Sequence, residues 1–154
     1  MMNKPKKLNG WTAEMMEAFT TAFDKAREDD NCKVVIFTGV GDYYSAGVNL
    51  GGTLKLMAPK KLHKLIVERN ELLFDRFLRY PKPILVATNG PAIGASVTSA
   101  TLCDGIIASD TSSYLTPFAA LGICPEGCSS IQFARLMGEE NAQRMLGIEG
   151  WKPN

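Results

Sequence analysis

Residues 82–96 read KPILVATNGPAIGAS, and this stretch decides the fold class. Its apolar and β-branched run at residues 84–88 predicts a buried strand, and Pro81 ends the helix before it because proline disfavours helical geometry in the preceding residue. The small residues that follow predict a helix over about residues 92–102. The stretch is therefore predicted to be a strand that passes through an Asn-Gly-Pro turn into a helix.

Helices and strands alternate on both sides of this unit. Apolar residues at intervals of three and four predict amphipathic helices, the first of them capped by Thr12, and short β-branched runs next to glycine predict strands. The predicted helices span residues 12–28, 59–79, 129–137 and 139–146, and the predicted strands span residues 34–38, 105–108 and 113–116, the first of them buried. This order is typical of an α/β domain with largely parallel strands.

The composition is that of one ordinary globular domain, and it narrows the function classes. The chain has 154 residues, of which 45% are hydrophobic and 21% are charged, and its 17 basic and 16 acidic residues leave a net charge of +1. No basic stripe indicates a nucleic-acid or membrane-surface partner, and no apolar run approaches the roughly 20 residues of a membrane span. Four cysteines and a single histidine predict reduced thiols and no metal site.

Two glycine-containing stretches each follow a predicted strand. Ser45-Ala46-Gly47 comes after the strand at residues 34–38, and Gly94-Ala95-Ser96 comes after the strand at residues 84–88. Small side chains let another group approach the backbone closely, and free N–H groups at the start of a helix favour a negative charge. Together the stretches can supply two N–H donors to one developing oxyanion. Each stretch taken alone is more simply explained by a tight turn or by close helix packing.

Glu126 is a lone carboxylate among small and apolar residues, just before a predicted helix. Two interpretations remain open. It is either a helix-start glutamate that complements the helix dipole, or a partly desolvated carboxylate whose raised pKa suits it to take and return a proton. The chain contains no phosphate-binding glycine loop and no G-x-S-x-G nucleophile elbow, which argues against a nucleotide-binding enzyme and a Ser-His-Asp hydrolase.

Four motifs lie between residues 41 and 130. They are GDYYSAGVNL at residues 41–50, KPILVATNGPAIG at residues 82–94, CDGIIASD at residues 103–110 and TPFAALGICPEGCSS at residues 116–130. In this order, and over about residues 6–145, the chain resembles the crotonase (enoyl-CoA hydratase/isomerase) superfamily. The resemblance implies an α/β, crotonase-like (ClpP/crotonase) spiral of β-β-α units, present as a partial domain over residues 1–154. It also implies that the backbone N–H groups of Ala46 and Ala95 form an oxyanion hole.

The acid/base residues decide which reaction the resemblance implies. The two glutamates of the hydratases fall on Thr98 and Phe118, so water addition is not expected. The segment PEGCSS at residues 125–130 and the tyrosine pair before Ser45 are similar to the peroxisomal Δ3,Δ2-enoyl-CoA isomerases. In those enzymes the glutamate that matches Glu126 is the catalytic acid/base.

The implied reaction is a proton shift that converts a 3-enoyl-CoA into the 2-trans-enoyl-CoA in fatty-acid β-oxidation. Glu126 would carry the proton, and the N–H groups of Ala46 and Ala95 would stabilise the dienolate oxygen. The resemblance implies no metal and no cofactor, because CoA enters as part of the acyl-CoA thioester substrate. The implied substrate-binding residues are Ser45, Ala46, Gly47, Val48, Asn49, Gly94 and Ala95.

Two other functions remain open from the sequence. Chromodomain Y-like proteins carry very similar NGPAIG and GCSS segments, so the chain is alternatively a non-catalytic module that binds acyl-CoA or protein. It is otherwise another crotonase enzyme, such as a hydratase, a dienoyl-CoA isomerase or a thioester hydrolase. The latter two need a further carboxylate or water-activating group, and the candidates for it, Asp42 and Asp110, have the sequence context of turn residues.

The resemblance also bears on length, assembly and location. Family members have strands before the matched region and helices after it, so the chain is expected to be a fragment with exposed apolar surface. The full-length protein is expected to be a homotrimer or hexamer, without a nucleic-acid or membrane partner. Its expected location is the peroxisome, alternatively the mitochondrion.

Overall fold

The computed structural model describes residues 1–49 and 57–147, so the motif residue Leu50 lies outside the described residues. The described helices are α1 (Ala13–Glu28), α2 (Pro59–Leu78), α3 (Ala95–Ala100), α4 (Phe118–Leu121), α5 (Ser129–Met137) and α6 (Glu139–Leu146), preceded by a 3-10 turn at Pro5–Lys7. The strands are β1 (Val35–Thr38), β2 (Ile84–Thr88), β3 (Ala92–Ile93), β4 (Gly105–Ala108) and β5 (Tyr114–Leu115). Their order follows the predicted alternation, with α4 and β3 as additions.

The described strands form two parallel sheets. β2 lies in the centre of the first sheet between β1 and β4, and Val35 of β1 pairs with Ile84 of β2. β3 and β5 form the second sheet, which the backbone of Ser45 extends through a bridge to Ala92. Parallel neighbours separated by a helix along the chain confirm the predicted α/β class.

Helix α1 packs its apolar side near the first sheet. Thr12 caps the helix by accepting a hydrogen bond from the Met15 N–H at 3.3 Å, as predicted. The ring of Phe23 on α1 lies 5.5 Å from the ring of Phe77 on α2 and 5.8 Å from that of Phe37 on β1, measured between centroids. These aromatic contacts hold both helices on one face of the sheet.

The opposite face of the first sheet is exposed. Successive side chains of a strand point to opposite faces, so each strand has an inner and an outer set. Phe37 and Val86 belong to the inner set and are buried, whereas Ile36 is 62% exposed and Ile107 is 66% exposed. The prediction of a buried strand at residues 34–38 is therefore right for one face and wrong for the other.

The small-residue helix begins later than the predicted residue 92. Ala92 and Ile93 form β3 because their backbone pairs with Tyr114 and Leu115 of β5. Gly94 then turns the chain with a φ of +60°, and α3 starts at the next residue. The prediction was wrong at this end because the pairing partner comes from a later part of the chain.

Asn9 joins the segment before α1 to the loop after β1 through side-chain hydrogen bonds. Its side-chain amide donates to the carbonyl oxygens of Val40 at 3.0 Å and Tyr43 at 2.7 Å, and its Oδ1 accepts the Lys4 N–H at 2.9 Å. Asn9 is fully buried, and its φ of +50° lies in the left-handed region that asparagine tolerates. The side chain therefore fixes the entry to the loop that carries Ser45.

The variant Asn9→Gly is expected to lose about 2 kcal/mol of unfolding free energy, roughly 1 kcal/mol for each donated hydrogen bond. Glycine keeps the left-handed backbone and removes only the side chain, and urea unfolding followed by circular dichroism measures the loss. The control Asn141→Ala removes an exposed hydrogen bond to the Met137 carbonyl. It is expected to change the free energy by less than about 0.5 kcal/mol. Equal urea midpoints for Asn9→Gly and wild type would contradict this role.

Candidate active site

Ser45 joins the two glycine-containing stretches. Its carbonyl oxygen accepts the Ile93 N–H at 2.9 Å and the Ser96 hydroxyl at 3.0 Å. Its own hydroxyl donates to the Asn9 carbonyl at 2.9 Å and accepts the Gly47 N–H at 3.0 Å. Because Ser45 is fully buried and its hydroxyl is occupied, the residue holds the site together, and its side chain is not open to a substrate.

Gly47 is the point at which the two stretches touch. Its φ is +74°, and a Cβ atom there would lie 2.2 Å from the Ile93 carbonyl oxygen and 3.4 Å from the Ala95 backbone nitrogen. Only a residue without a side chain permits this approach. The structure thus brings the loop around Gly47 and the start of α3 together, as the sequence predicted.

The backbone donors differ from the predicted pair at one position. The Ala46 N–H donates to the Leu8 carbonyl oxygen at 2.9 Å, so it is already engaged within the protein. Among the described residues, the N–H groups of Val48 and Ala95 have no acceptor. Val48 lies one residue beyond the contact at Gly47, and Ala95 is the first residue of α3. The Ala46 N–H is therefore not available to an oxyanion in this structure, and the described residues offer the N–H groups of Val48 and Ala95 as the candidate donors.

The other predicted substrate-binding residues border the same place. The backbone N–H of Gly94 donates to the Leu115 carbonyl at 2.8 Å, and a Cβ atom at Gly94 would meet open space. Asn49 is exposed, and its N–H donates to the Trp11 carbonyl at 3.1 Å. Gly94 and Asn49 therefore lie where a ligand has access, although both backbone donors are occupied.

Glu126 lies in a turn that leads into α5. The next two residues, Gly127 and Cys128, have φ values of +62° and +59°, so the chain reverses before the helix begins. The Glu126 carbonyl oxygen accepts the Ser129 hydroxyl at 2.7 Å, and its Oε1 accepts the Thr98 hydroxyl at 2.9 Å. The Glu126 side chain contacts α3 through Thr98, and none of the described N–H groups of α5 donates to its carboxylate, so the structure does not support the helix-start interpretation.

The surroundings of Glu126 change its protonation. Burial raises the pKa of the carboxyl group to about 7, and the hydrogen bond from Thr98 acts in the opposite direction. The pKa thus lies in the range where a group can both take and return a proton near neutral pH, which agrees with the second interpretation of the sequence.

Helix α3 places this carboxyl group near the free donor of Ala95. Thr98 follows Ala95 by three residues, so both lie on one side of the helix, with Cβ atoms about 5–6 Å apart. Glu126 is hydrogen-bonded to Thr98 and therefore lies within about one helical turn of the Ala95 residue. The sequence does not reveal this contact of Thr98, because Glu126 is distant in the chain and no local pattern links the two residues.

The other candidate acid/base positions are exposed turn residues or carry no ionisable side chain. Asp42 and Asp110 are exposed, in a bend and a turn, which confirms that they are turn residues. Phe118, at the second hydratase position, is buried with 3% exposure. The described part of the chain contains no group of three His, Cys, Asp or Glu side chains that could hold a metal ion. The four cysteines are free thiols.

A family comparison decides the assignment. The sequence profile described as enoyl-CoA hydratase/isomerase matches residues 1–149. The chain belongs to the enoyl-CoA hydratase/isomerase family. The resemblance to the crotonase superfamily is thereby confirmed.

Three relatives show the range of proteins within this family. Human enoyl-CoA delta isomerase 2 is 38% identical over 150 residues, which are 95% of this chain and 37% of that protein. Mouse peroxisomal enoyl-CoA delta isomerase 3 is 34% identical over 147 residues, which are 94% of this chain and 45% of that protein. The human chromodomain Y-like protein is 30% identical over 148 residues, which are 95% of this chain and 25% of that protein. The chain spans less than half the length of each.

A solved enoyl-CoA hydratase from Thermoplasma volcanium confirms the crotonase-like fold. It superposes with a TM-score of 0.82 at 26% identity, covering 98% of this chain and 59% of the solved one. In the chain described here, residues 1–49 and 57–147 contain no helix with the length and hydropathy of a membrane span.

Proposed function

We propose that the protein is an isomerase that converts a 3-enoyl-CoA into the 2-trans-enoyl-CoA. The observation that carries this proposal is the half-buried carboxyl group of Glu126, with a pKa of about 7, held next to the helix that begins with Ala95, whose N–H has no acceptor among the described residues. The sequence identity of the chain to two relatives named enoyl-CoA delta isomerases, 38% and 34%, supports the choice of reaction. Neither hydratase position carries a carboxylate, since they hold Thr98 and Phe118.

The chemistry needs one base and one oxyanion site. Glu126 removes a proton from C2 of the substrate, and the electron pair of that C–H bond moves toward the thioester oxygen to give a dienolate. The N–H groups of Val48 and Ala95 donate to this oxygen, at about 2.7–4 kcal/mol of transition-state stabilisation per donor. Glu126 then delivers the proton to C4, and the double bond moves into conjugation. The reaction balances without a metal or a further cofactor, because CoA is part of the substrate.

The test is the conversion of 3-cis-octenoyl-CoA, followed by the absorbance of the conjugated enoyl thioester. Steady turnover is expected, and because Glu126 returns the proton that it removed, deuterium at C4 is expected to stay below one atom per product molecule when the reaction is run in D2O. The same protein is expected to add no water to 2-trans-octenoyl-CoA. Absence of isomerisation at saturating substrate contradicts the proposal, and hydration without isomerisation indicates a hydratase instead.

The second candidate is a non-catalytic acyl-CoA or protein-binding module. Its support is the 30% identity to the human chromodomain Y-like protein. Tight binding of octanoyl-CoA in calorimetry, combined with no turnover of the 3-enoyl thioester, favours this function over the isomerase.

The rate of isomerisation is expected to rise with pH up to about 7 and to level off above it. Glu126 must be ionised to take the C2 proton, and burial raises its pKa to about 7. Below that value kcat/KM falls about tenfold per pH unit, because this parameter follows the ionisation of the free enzyme. Kinetics between about pH 5 and pH 9 measure the midpoint. A midpoint in the ordinary range of glutamate, about 4.3, contradicts the effect of burial.

We further propose that the protein works in peroxisomal β-oxidation and assembles with copies of itself. A relative named peroxisomal supports the location. Exposed apolar side chains support the assembly, among them Leu72 at 72%, Ile107 at 66% and Ile36 at 62% exposure. Light scattering coupled to size-exclusion chromatography measures the assembly, and a monomer at micromolar concentration contradicts it.

A further inference from the structure

Thr98 is buried in the middle of α3, with its hydroxyl group between two acceptors. Its Oγ1 lies 2.9 Å from Oε1 of Glu126 and 3.2 Å from the Ala95 carbonyl oxygen. A threonine hydroxyl has one proton to donate. The shorter contact, to an ionised carboxylate, is the stronger, so this proton is directed to Glu126.

The surrounding backbone leaves Thr98 little freedom. A Cβ atom on Gly127 would lie 2.8 Å from both Cβ and Oγ1 of Thr98 and 2.7 Å from the Phe74 ring. Because Gly127 follows Glu126 directly and packs on Thr98, the turn and the helix are held in one arrangement. The hydrogen bond is therefore a fixed feature of the packing between the turn and α3.

The two oxygens of the Glu126 carboxyl group are consequently different. Oε1 accepts the Thr98 hydroxyl, whereas Oε2 has no hydrogen-bond partner among the described residues. After Oε2 takes a proton, Oε1 becomes the carbonyl oxygen of the acid and still accepts the same hydroxyl. The contact thus persists in both protonation states and keeps the carboxyl group from rotating between the two proton transfers.

We propose that Thr98 is a positioning residue that holds Oε1 of Glu126 throughout the reaction and reserves Oε2 for the proton. This role rests on the isomerisation proposed above. Oε2 forms its O–H bond as the C2–H bond breaks, and it loses the same proton as the C4–H bond forms. One oxygen therefore takes the proton from C2 and gives it to C4, and the carboxyl group does not have to rotate between the two transfers.

Few other groups among the described residues influence the pKa of the Glu126 carboxyl group. The elements packed against the turn present Thr98 from α3 and Phe74 from α2, and both are uncharged. The nearby titratable groups of the same segment are the exposed thiols of Cys124 and Cys128. Among the residues that the structure describes, burial and the Thr98 hydrogen bond are the causes of the altered pKa, so loss of the hydroxyl has a defined direction.

The test compares Thr98→Val, Thr98→Ser and Thr101→Val in the purified protein. Valine removes the hydroxyl at nearly constant shape, and serine retains it. Thr101→Val is the matched control, because the Thr101 hydroxyl donates to the Thr98 carbonyl at 2.8 Å and does not touch Glu126. Thr98→Ala replaces Thr98→Val if the valine variant does not fold.

Two measurements are made on each variant. The first is the pH profile of kcat/KM with 3-cis-octenoyl-CoA. The second is titration of the Glu126 carboxyl carbon by 13C NMR of glutamate-labelled protein, with the signal assigned by its loss in Glu126→Gln. Thr98→Val is expected to shift both midpoints upward by about one pH unit and to lower kcat about 10–100-fold. Thr98→Ser is expected to stay within about twofold of wild type, as is Thr101→Val.

Each outcome separates this role from the proposed function. If wild type isomerises but Thr98→Val keeps the wild-type midpoints, the positioning role is overturned and the function stands. Serine as damaging as valine also overturns the role, since the methyl packing would then matter and the hydroxyl would not. If wild type does not isomerise, the proposed function fails and the positioning role fails with it.

Discussion

Replacing Glu126 by glutamine is expected to lower kcat for double-bond transposition by about 10²–10⁴-fold. Glutamine has the same shape, and its amide oxygen can still accept the Thr98 hydroxyl that now binds Oε1. It cannot take the C2 proton. The variant should therefore fold and bind substrate while losing the chemical step, which places the loss in kcat and leaves KM nearly unchanged.

The same variant carries a stability prediction of defined sign. Burial raises the pKa of Glu126 from 4.5 to about 7, so the folded state favours the protonated carboxyl group. That stabilisation is complete below the unfolded pKa and is lost as the pH rises through about 7. Glutamine does not titrate, so the stability of Glu126→Gln relative to wild type is expected to increase between about pH 5 and pH 8.

Turnover assays measure the loss of kcat, and urea unfolding at about pH 5 and about pH 8 measures the change in stability. The matched control is Glu140→Gln, which neutralises an exposed carboxylate that pairs with Arg144 at 2.7 Å on α6. It is expected to retain wild-type kcat and to change stability by less than about 1 kcal/mol. Equal conversion rates for wild type and Glu126→Gln would show that the proposed mechanism is wrong.

Substituting alanine at Gly47 is expected to lower the free energy of unfolding by about 2–5 kcal/mol. About 1–2 kcal/mol comes from the left-handed backbone, since its φ is +74°, and about 1–3 kcal/mol comes from overpacking. The new Cβ would lie 2.2 Å from the Ile93 carbonyl oxygen. That oxygen also lies 3.0 Å from the Ser96 hydroxyl oxygen, so it has little room to move away.

The clash also separates the two donors. Val48 and Ala95 flank the contact, and a shift of either loop moves its N–H away from the dienolate oxygen. The folded fraction of Gly47→Ala is therefore expected to lose about 10²–10³-fold in kcat. The matched control is Gly138→Ala, because Gly138 has a φ of +80° and open space around its Cα. Its cost should be limited to about 1–3 kcal/mol of backbone strain with wild-type kcat, because Gly138 combines its positive φ with a ψ of 159°. Equal losses in the two variants would refute close contact at Gly47.

Local patterns were sufficient for most of the elements. α2 starts at Pro59, as predicted, because proline fits the first turn of a helix, and β2 occupies the predicted residues because its β-branched run is bounded by turn residues. The helix expected at residue 92 failed because Ala92 and Ile93 pair with β5. Non-local pairing of this kind overrides the helical preference of small residues, and no window of sequence contains it.

By itself, the sequence determined the family, the α/β class and the three places to which the proposed chemistry is assigned: the loop at Gly47, the start of α3 and Glu126. These follow from glycines, small residues and one isolated carboxylate, which are local features that the sequence shows directly.

Only the tertiary structure decided which groups are free to act. The carbonyl oxygen of Leu8, in the distant N-terminal segment, accepts the Ala46 N–H, whereas the Val48 N–H has no acceptor among the described residues. The burial that raises the pKa of Glu126, and the Thr98 hydroxyl that opposes it, likewise arise only when α3 and the turn pack together. Hydrogen-bond partners and desolvation are properties of neighbours in space, and the chain order does not contain them.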